Sequence, residues 1–368
     1  MRHFINRAFF YINILAGVAL LLSYFSTFIS PAKIWVLAFF GLAYPYILLI
    51  NALFMFYWIF RFKKEFLVSF IVILIGLNHL NAFIPLRLEK DRKKGFVKEN
   101  PLQVKILSYN VRLFNIYEWI SESGTNQDIL NFIRSERPDI ICLQEFYSSS
   151  KGDYQPEKIK KFFSETPYSY IQYSFKIDKN SGCGIATFSR YPIVNQETIS
   201  FPNTSNEAIV TDVVINTDTI RIYNNHLQSV QLQKRNYNFL DSLRLRYDDE
   251  QLREIRDISS RLKTAFIKRS AQVDAISSHI KSSEYPVIVC GDFNDTPVSY
   301  SYRKMRKGLK DAFLSSGQGT GNTYQGIFPY FRIDYIFHDT HFKPLLFEKV
   351  ETTLSDHYPI LCIFELQD

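Results

Sequence analysis

The sequence predicts an α/β protein: a four-layer α-β-β-α sandwich of two packed mixed sheets, preceded by about three transmembrane helices. Two observations indicate the sandwich. From residue 102 onward, short β-rich runs alternate with helical stretches, beginning VKILSYNV, QDILNFIRSERP and DIICLQEF. Several later runs, such as AIVTDVVIN and TIRIYNNHL, alternate apolar with polar residues, as half-buried strands do. Elements in this order form sheets that pack beneath outer helices.

Three apolar runs precede this domain. Residues 9–29 and 34–60 carry no charge, and residues 66–86 form a weaker apolar run, with Asn78, His79 and Asn81 in its last third. Because a bilayer core requires about 20 apolar residues per helix, we expect residues 1–86 to form a multi-pass anchor in the lipid bilayer. A cleaved signal peptide is a poorer account of the first run, since no small-residue cleavage site follows it and a second run comes directly after.

The positive charge belongs mainly to the membrane segment. The formal net charge is +7, and residues 1–100 contain 12 Lys and Arg against 4 Asp and Glu. The remaining 31 basic and 32 acidic residues nearly balance. We predict a basic juxtamembrane linker at residues 87–101, where RLEKDRKKGFVK would meet lipid headgroups. The charge of residues 102–368 gives no support to nucleic-acid binding.

The basic residues beside the apolar runs bear on orientation, and they disagree. Arg2 and Arg7 favour a cytoplasmic N-terminus, and three spans would then place the C-terminal domain outside the cytoplasm. The basic residues of the linker favour the opposite orientation. An extracytoplasmic domain is therefore a hypothesis, and labelling of an engineered linker cysteine only after cell permeabilisation would contradict it.

Polar residues stand where the predicted strands end. They comprise carboxylates, amides and imidazoles: Asn110, Glu145, His226, Asp292, Asn294, Asp334, Asp356 and His357. Taken singly, each has an ordinary interpretation as a turn, cap or loop residue. Together they need partners, because an isolated charge is not left buried. A divalent cation and a phosphate group would supply those partners.

The residue types favour magnesium. Mg²⁺ keeps several waters and is held by one or two carboxylates together with substrate phosphate oxygens. The four cysteines have no metal-ligand spacing and no paired histidines accompany them, which argues against zinc. We expect Mg²⁺, with Mn²⁺ as a substitute, and we expect Cys142 and Cys290 to be small buried hydrophobes inside strands.

Seven motifs in order resemble the endonuclease/exonuclease/phosphatase superfamily: SYNV, LQE, GIATFSRYPI, NNHL, GDFND, RIDYIF and SDHYPI. That superfamily includes pancreatic deoxyribonuclease, the apurinic endonucleases, neutral sphingomyelinases and inositol polyphosphate 5-phosphatases. The likeness covers essentially all of residues 102–368. It implies a metal-dependent phosphohydrolase domain there.

The resemblance also implies roles for the matched residues. Asn110, Glu145 and Asp356 would form the metal side, with Glu145 the principal Mg²⁺ ligand. Asp292 would align or deprotonate the attacking water, and Asn294 would hold the scissile phosphate.

The remaining matches concern the leaving group and the substrate. His226 would contact the phosphate or help the leaving oxygen. Asp334 would orient His357, which would contact the phosphate or share acid–base work. The expected substrate-side residues are Arg112, Thr323 and Tyr324. At position 112 apurinic endonucleases carry an acid, so the arginine weakens an abasic-site or two-metal interpretation; the tyrosine could equally be a packed residue.

The sequence thus predicts a membrane-anchored, Mg²⁺-dependent phosphohydrolase that cleaves phosphodiester bonds, with a nuclease as the default. A lipid or lipid-like headgroup phosphodiesterase, as in the sphingomyelinases, is the alternative, because a tether raises the effective concentration of lipid. A catalytically dead, membrane-bound binding module would lack some of the matched residues, and none is missing.

One basic run is not explained by these motifs. RKMRKGLK, residues 303–310, has five basic residues in eight. It could meet phosphates or anionic lipid, although such runs are more often a solvated helix face. His79, near the end of the third apolar run, is expected at the membrane interface.

Overall fold

The computed structural model describes residues 2–84, 103–119, 125–241, 249–319, 321–326 and 331–367. The predicted basic linker, residues 87–101, lies outside the described residues. The helices within these ranges are α1 (Arg2–Phe25), α2 (Val36–Leu42), α3 (Tyr44–Phe60), α4 (Phe66–Ile75), α5 (Leu77–Phe83), α6 (Thr125–Ser135), α7 (Pro156–Phe162), α8 (Lys234–Asp241), α9 (Asp249–Lys281), α10 (Tyr300–Met305) and α11 (Ala312–Ser316).

Two six-stranded mixed sheets are present in the described residues. The strands are β1 (Gln103–Asn110), β2 (Ile140–Ser149), β3 (Tyr168–Lys176), β4 (Ser181–Ser189), β5 (Ile193–Ser200), β6 (Glu207–Ile215), β7 (Asp218–His226), β8 (Val287–Asp292), β9 (Lys310–Asp311), β10 (Asp334–His338), β11 (Phe342–Lys349) and β12 (Ile360–Leu366). The first sheet has the order β11-β12-β1-β2-β4-β3, and the second has the order β5-β6-β7-β8-β10-β9.

The two sheets pack face to face over an apolar core. Ile106 of β1 and Cys142 of β2 meet Ile222 of β7 and Cys290 of β8 in one cluster of fully buried side chains. The intervening residues of the same strands face outward, because side chains alternate along a strand. They pack beneath α6 and α7 on one sheet and beneath α9 and α10 on the other. The predicted four-layer sandwich is confirmed, and all four cysteines are buried and free.

One parallel pair lies inside each sheet. β1 and β2 run parallel, with α6 in the crossover, and β7 and β8 run parallel, with α8 and α9 between them. The carboxyl ends of a parallel pair meet at the same edge of the sheet. β10 is antiparallel to β8, so its first residue, Asp334, lies opposite Asp292. Strand direction thus aligns β1 with β2 in one sheet and β7, β8 and β10 in the other, and the packing of the two sheets brings both sets to one edge of the sandwich.

The N-terminal helices differ from three straight spans. α1 has 24 residues, a length of about 36 Å against a bilayer core of about 30 Å. It is the one described helix long and apolar enough to cross a membrane, and the number rises to three if each bent pair counts as a span. The pair α2 and α3 bends by 65°, and the pair α4 and α5 bends by 67°.

Each bend has a local cause. Pro45 stands in the first turn of α3, where its ring is tolerated but cannot continue a preceding helix. Gly76 separates α4 from α5, and a Cβ atom there would lie 2.0 Å from the hydroxyl oxygen of Tyr24. Mean hydropathy does not register either effect, so it does not reveal that the second and third apolar runs each form two helices.

Polar side chains join the helices inside the bundle. Ser69 of α4 donates to the side-chain oxygens of Asn13 at 2.6 Å and of Asn51 at 3.1 Å. Asn51 also donates to the carbonyl oxygen of Ala16 at 2.9 Å. All three side chains are fully buried. Such hydrogen bonds between helices favour association in an apolar medium.

The bundle packs directly on the sandwich. Ser26, just after α1, donates to the carbonyl oxygen of Val298 at 3.3 Å, and the ring of Phe39 meets Phe266 of α9 with centroids 5.4 Å apart. Arg332, which is buried, forms an ion pair with Asp311 at 2.7 Å and donates to the carbonyl oxygen of Ala82 at 2.8 Å.

We expect Arg332→Ala to lower the free energy of unfolding by about 3–5 kcal/mol, since it leaves the Asp311 carboxylate buried and unpaired. Arg190→Ala is the matched control, because Arg190 pairs with Asp139 but is 44% exposed; it should cost less than about 1 kcal/mol. Thermal unfolding of the full chain in detergent checks both values. Equal losses in the two variants would contradict a structural role for the buried pair.

Candidate active site

The predicted polar residues gather at the shared strand edge. Asn110, His226 and Asp292 are the last residues of β1, β7 and β8, and Asp334 is the first residue of β10. Glu145 lies in β2 at a bulge, where the pairing with β4 shifts register and its φ is +51°. The bulge is what turns its side chain toward this edge.

Asp292 is the centre of the cluster. It is 1% exposed. One carboxylate oxygen, Oδ2, accepts from Asn110 Nδ2 at 3.1 Å and from Asn294 Nδ2 at 3.0 Å, and the other accepts from the Asn294 backbone N–H at 2.8 Å. The Nε2 atoms of His226 and His357 lie 3.9 Å and 3.8 Å from Oδ2. Burial raises the pKa of Asp292, and the charge of His357 opposes that rise.

His357 is held by Asp334. Its Nδ1 lies 3.0 Å from Asp334 Oδ2, and both side chains are buried. Burial lowers the pKa of His357, but the charges of Asp334 and Asp292 outweigh this and raise it well above its ordinary value. The ring therefore presents a protonated Nε2 toward Asp292. The edge of the Tyr324 ring packs against it, with centroids 5.4 Å apart.

His226 differs electrostatically from His357. Burial lowers the pKa of His226, so the ring is neutral where His357 is charged. Its Nε2 is buried and has no hydrogen-bond partner within the described residues, although Glu145 Oε1 lies 3.8 Å away. A buried polar atom without a partner is uncommon in proteins and is typical of a position that a ligand completes.

Glu145 and Asp356 form the acidic side of the cluster. Burial, followed by the charge of Asp356, raises the pKa of Glu145 to about 7. Asn110 Nδ2 lies 3.4 Å from Glu145 Oε1. Asp356 meets Arg112, whose Nε lies 3.3 Å from Oδ2 and whose guanidinium lies 4.7 Å from the centre of the Trp119 ring.

The three predicted substrate-side residues have different environments. Arg112 is 29% exposed and borders Asp356. Thr323 is buried, and its hydroxyl accepts from the backbone N–H groups of Ile333 and Asp334, each at 3.0 Å. In this structure Thr323 therefore positions Asp334 and does not line an open surface. Tyr324 packs on the ring of His357, as described above.

Two residues of the site were not predicted from the sequence. The Arg269 side chain, in α9, is 1% exposed; it donates to the carbonyl oxygen of Asn294 and lies 3.5 Å from Asp295 Oδ2. It thereby fixes the loop that follows Asp292. Tyr237 of α8 lies beside Tyr324, and burial followed by the charge of Tyr237 raises the pKa of Tyr324. The sequence does indicate Arg269, because an arginine on the apolar face of a helix is unusual. It contains no comparable signal for Tyr237.

Two sets of side chains offer ligand atoms for a metal ion. Ligand atoms of Asp292, Asp334 and His357 lie within 4.8 Å of one another. However, Nδ1 of His357 and the Asp334 carboxylate already bond each other, at 3.0 Å. Glu145 and Asp356 repel each other and have oxygen ligands that suit a hard divalent cation. The acidic side fits the metal better.

Comparison with known proteins agrees with this geometry. The family described as Endonuclease/Exonuclease/phosphatase family matches residues 107–357, and a domain of unknown function matches residues 6–83. No curated protein sequence matches the chain.

Solved structures show the same fold. The chain is similar to an endonuclease/exonuclease/phosphatase from Beutenbergia cavernae DSM 12333, with 16% identity, 72% of each chain covered and a TM-score of 0.54. It is similar to the catalytic domain of human Nocturnin with a bound sulfate anion, with 19% identity, 75% and 97% coverage and a TM-score of 0.51. A Bacteroides thetaiotaomicron protein has 17% identity, 72% and 98% coverage and a TM-score of 0.52. The chain belongs to the endonuclease/exonuclease/phosphatase family.

Proposed function

We propose that this chain is a membrane-anchored, Mg²⁺-dependent phosphodiesterase, with an anchor at residues 1–86 and a catalytic domain at residues 102–368. The family consists of hydrolases that act on phosphoester bonds and generally use divalent metals. The observation that carries the proposal is Asp292, a buried carboxylate that two asparagines orient between two histidines. Hydrolysis requires a group that is positioned to accept a proton from the attacking water.

Glu145 and Asp356 would hold the metal ion, which would neutralise charge on the phosphoryl oxygens. Asn110 donates to the carboxylates of both Glu145 and Asp292. It would therefore fix the distance between the metal side and the base, and its part in metal binding would be to orient Glu145. Mn²⁺ would substitute for Mg²⁺, since both accept oxygen ligands.

The remaining residues would act on the water and the phosphate. Asp292 would align the attacking water and accept its proton. His357, held as an imidazolium by Asp334, would donate from Nε2 to a phosphoryl oxygen and stabilise the charge that develops there. His226 would donate its buried Nε2–H to the phosphate or to the leaving oxygen.

Asn294 has both amide hydrogens engaged. Its Nδ2 donates to Asp292 Oδ2 and to the carbonyl oxygen of Leu227, each at 3.0 Å. To hold the scissile phosphate it would exchange one of these bonds for the substrate. Asn294 orients Asp292 without such an exchange. It would therefore orient Asp292 in the free enzyme and bind the phosphate once the substrate arrives.

A nuclease is the leading substrate assignment, and a lipid headgroup phosphodiesterase is the second. The contacts of Ser26, Phe39 and Ala82 with the sandwich favour the second, because they would hold the catalytic domain beside the bilayer. A dead binding module is disfavoured, since all eight polar residues are present and clustered. A nuclease that uses phosphate contacts should lose DNA cleavage steeply as salt is added.

The test uses the full chain purified in detergent with Mg²⁺, offered supercoiled DNA, RNA, sphingomyelin, inositol polyphosphates and bis(p-nitrophenyl) phosphate. We expect metal-dependent hydrolysis of the generic diester, lost in Glu145→Gln and retained in the matched control Glu365→Gln, whose carboxylate pairs with Lys343 at the surface. Nicked DNA would support the nuclease, and lipid turnover with intact DNA would support the headgroup enzyme. Turnover that survives removal of divalent metal would contradict the proposal.

A further inference from the structure

A cavity of about 550 Å³ lies where the N-terminal helices meet the sandwich, and we name it the junction cavity. Phe28, His79 and Ala82 line it from the helical side, and Arg303, Arg306 and Lys307 line it from the segment around α10. None of the eight clustered polar residues lines it. Its volume is in the range of ordinary ligand sites, about 300–1,000 Å³.

The junction cavity is positively charged. Arg303, Lys304, Arg306 and Lys307 line it, and no Asp or Glu is among its lining residues. Lys304 is neutralised by Asp274, with 2.6 Å between Nζ and Oδ1. The other three side chains make no ion pair with any described residue. Three such cations on one wall repel one another unless an anion is present.

The basic run at residues 303–310 is therefore not simply a solvated helix face. The guanidinium of Arg303 lies 3.9 Å from the centre of the Phe28 ring, so the run contacts the helical bundle. Lys310, the last residue of the run, lies instead in β9, where its backbone is paired with that of His338 in β10 at the edge of the second sheet. The contact with the bundle is a feature that the sequence pattern could not indicate.

Two polar side chains of the helical bundle also line the cavity. They are Thr27 and His79, and the Nε2 of His79 lies 3.4 Å from the Thr27 hydroxyl. The cavity wall therefore combines a hydroxyl and an imidazole with three cations that have no ion-pair partner among the described residues, and this set of hydrogen-bond donors suits a phosphate group.

The cavity also lies at one end of the bundle. α1 ends at Phe25 and α3 begins at Tyr44, and the ring of Tyr24 stacks on His79 and contacts Tyr44. If α1 spans the bilayer, this end lies in the headgroup layer. Aromatic residues are enriched at that depth, and basic pockets between helices there bind lipid phosphates.

We propose that the junction cavity binds the phosphate group of an anionic ligand, and that a glycerophospholipid headgroup from the surrounding membrane is its source. The basic wall would bind the phosphate, since arginine donates to phosphate oxygens in a fixed fork. Phe28 and Ala82 would border the apolar part of the lipid. A free phosphate is the alternative source. The inference rests on the membrane placement proposed above, but not on hydrolysis.

The experiment reconstitutes the full chain in nanodiscs of phosphatidylcholine with added phosphatidylglycerol, extracts it in detergent and quantifies the retained lipid by native mass spectrometry. We expect phosphatidylglycerol to be retained by the wild type and reduced about tenfold or more in Arg303→Gln/Arg306→Gln/Lys307→Gln. The matched control removes the same charge from the surface helix α7, in Lys158→Gln/Lys160→Gln/Lys161→Gln, and should retain lipid as the wild type does.

A second variant guards against loss of folding. Arg303→Lys/Arg306→Lys keeps the charge and should keep most of the bound lipid, with thermal unfolding recorded for every variant. Equal retention by the triple variant and the wild type would overturn the proposal, and so would equal loss in the α7 control. Full displacement of the lipid by inorganic phosphate would confirm a phosphate site and overturn the lipid source.

The binding measurement is independent of catalysis. Asp292→Asn should retain lipid as the wild type does, because Asp292 does not line the cavity. A wild type that hydrolyses none of the offered esters but retains phosphatidylglycerol through these cations would overturn the proposed function and leave this inference standing. Hydrolysis of an offered ester without retention of phosphatidylglycerol would support the proposed function and overturn this inference.

Discussion

Asp292→Asn should lower kcat for phosphodiester hydrolysis by about a thousandfold, within the range of about 10²–10⁴ that a positioned acid or base contributes. The asparagine keeps the shape of the side chain but has no carboxylate to accept a proton from water. It also disturbs the hydrogen bonds from Asn110 and Asn294 that converge on Oδ2. Initial rates on the generic diester at saturating metal check the value.

Stability distinguishes this loss from unfolding. Burial disfavours the charged form of Asp292, so removal of that charge should leave the thermal midpoint unchanged or raised, as substitutions at functional sites often do. Asp212→Asn is the matched control. Asp212 is equally buried but bonds both Nε and Nη2 of Arg221, at 2.7 Å and 2.8 Å, away from the site.

The control should behave in the opposite way. Asp212→Asn leaves Arg221, whose side chain is 14% exposed, without its charge partner. It should destabilise the protein by about 1.5–3 kcal/mol, while kcat of the remaining folded protein stays near that of the wild type. If Asp292→Asn instead lowered the thermal midpoint as much as the control, its carboxylate would be a structural group, and the assignment of a base at this position would fail.

Strand direction explains part of the shared edge. His226 and Asp292 end a parallel pair, and the carboxyl ends of such a pair meet at one edge of the sheet. Asn110 ends β1 in the other sheet, so it joins them only because the two sheets pack face to face. Glu145 was predicted from its position after an apolar run, yet its orientation depends on a bulge. A bulge is one residue inserted into a ladder, and it leaves no sign in hydrophobic alternation.

Contacts between residues distant in the chain could not be predicted from the sequence. The Thr323 hydroxyl supports Asp334 through backbone N–H groups, and Arg269 fixes the loop of Asn294 from a different helix. Neither contact has a local pattern, because each joins residues distant in the chain. The junction cavity has the same origin, since His79 and Arg303 are brought together only when the helical bundle packs on the sandwich.

Asp334→Asn and His357→Ala should each lower kcat by about 10²–10⁴, and the double variant should be no slower than His357→Ala alone. Asp334 bonds Nδ1 of His357 at 3.0 Å and reaches the substrate only through that ring. Once the ring is absent, loss of the carboxylate has nothing further to disturb, so the effects of the two changes are not additive.

A surface pair of the same chemistry supplies the control for this cycle. His341 lies 3.2 Å from Asp339 but is 61% exposed, and His341→Ala should leave kcat unchanged. Additive effects in the cycle would mean that Asp334 and His357 contact the reacting atoms independently. Asp334 would then be a ligand or base in its own right, and the set formed by Asp292, Asp334 and His357 would replace Glu145 and Asp356 as the better candidate for the metal.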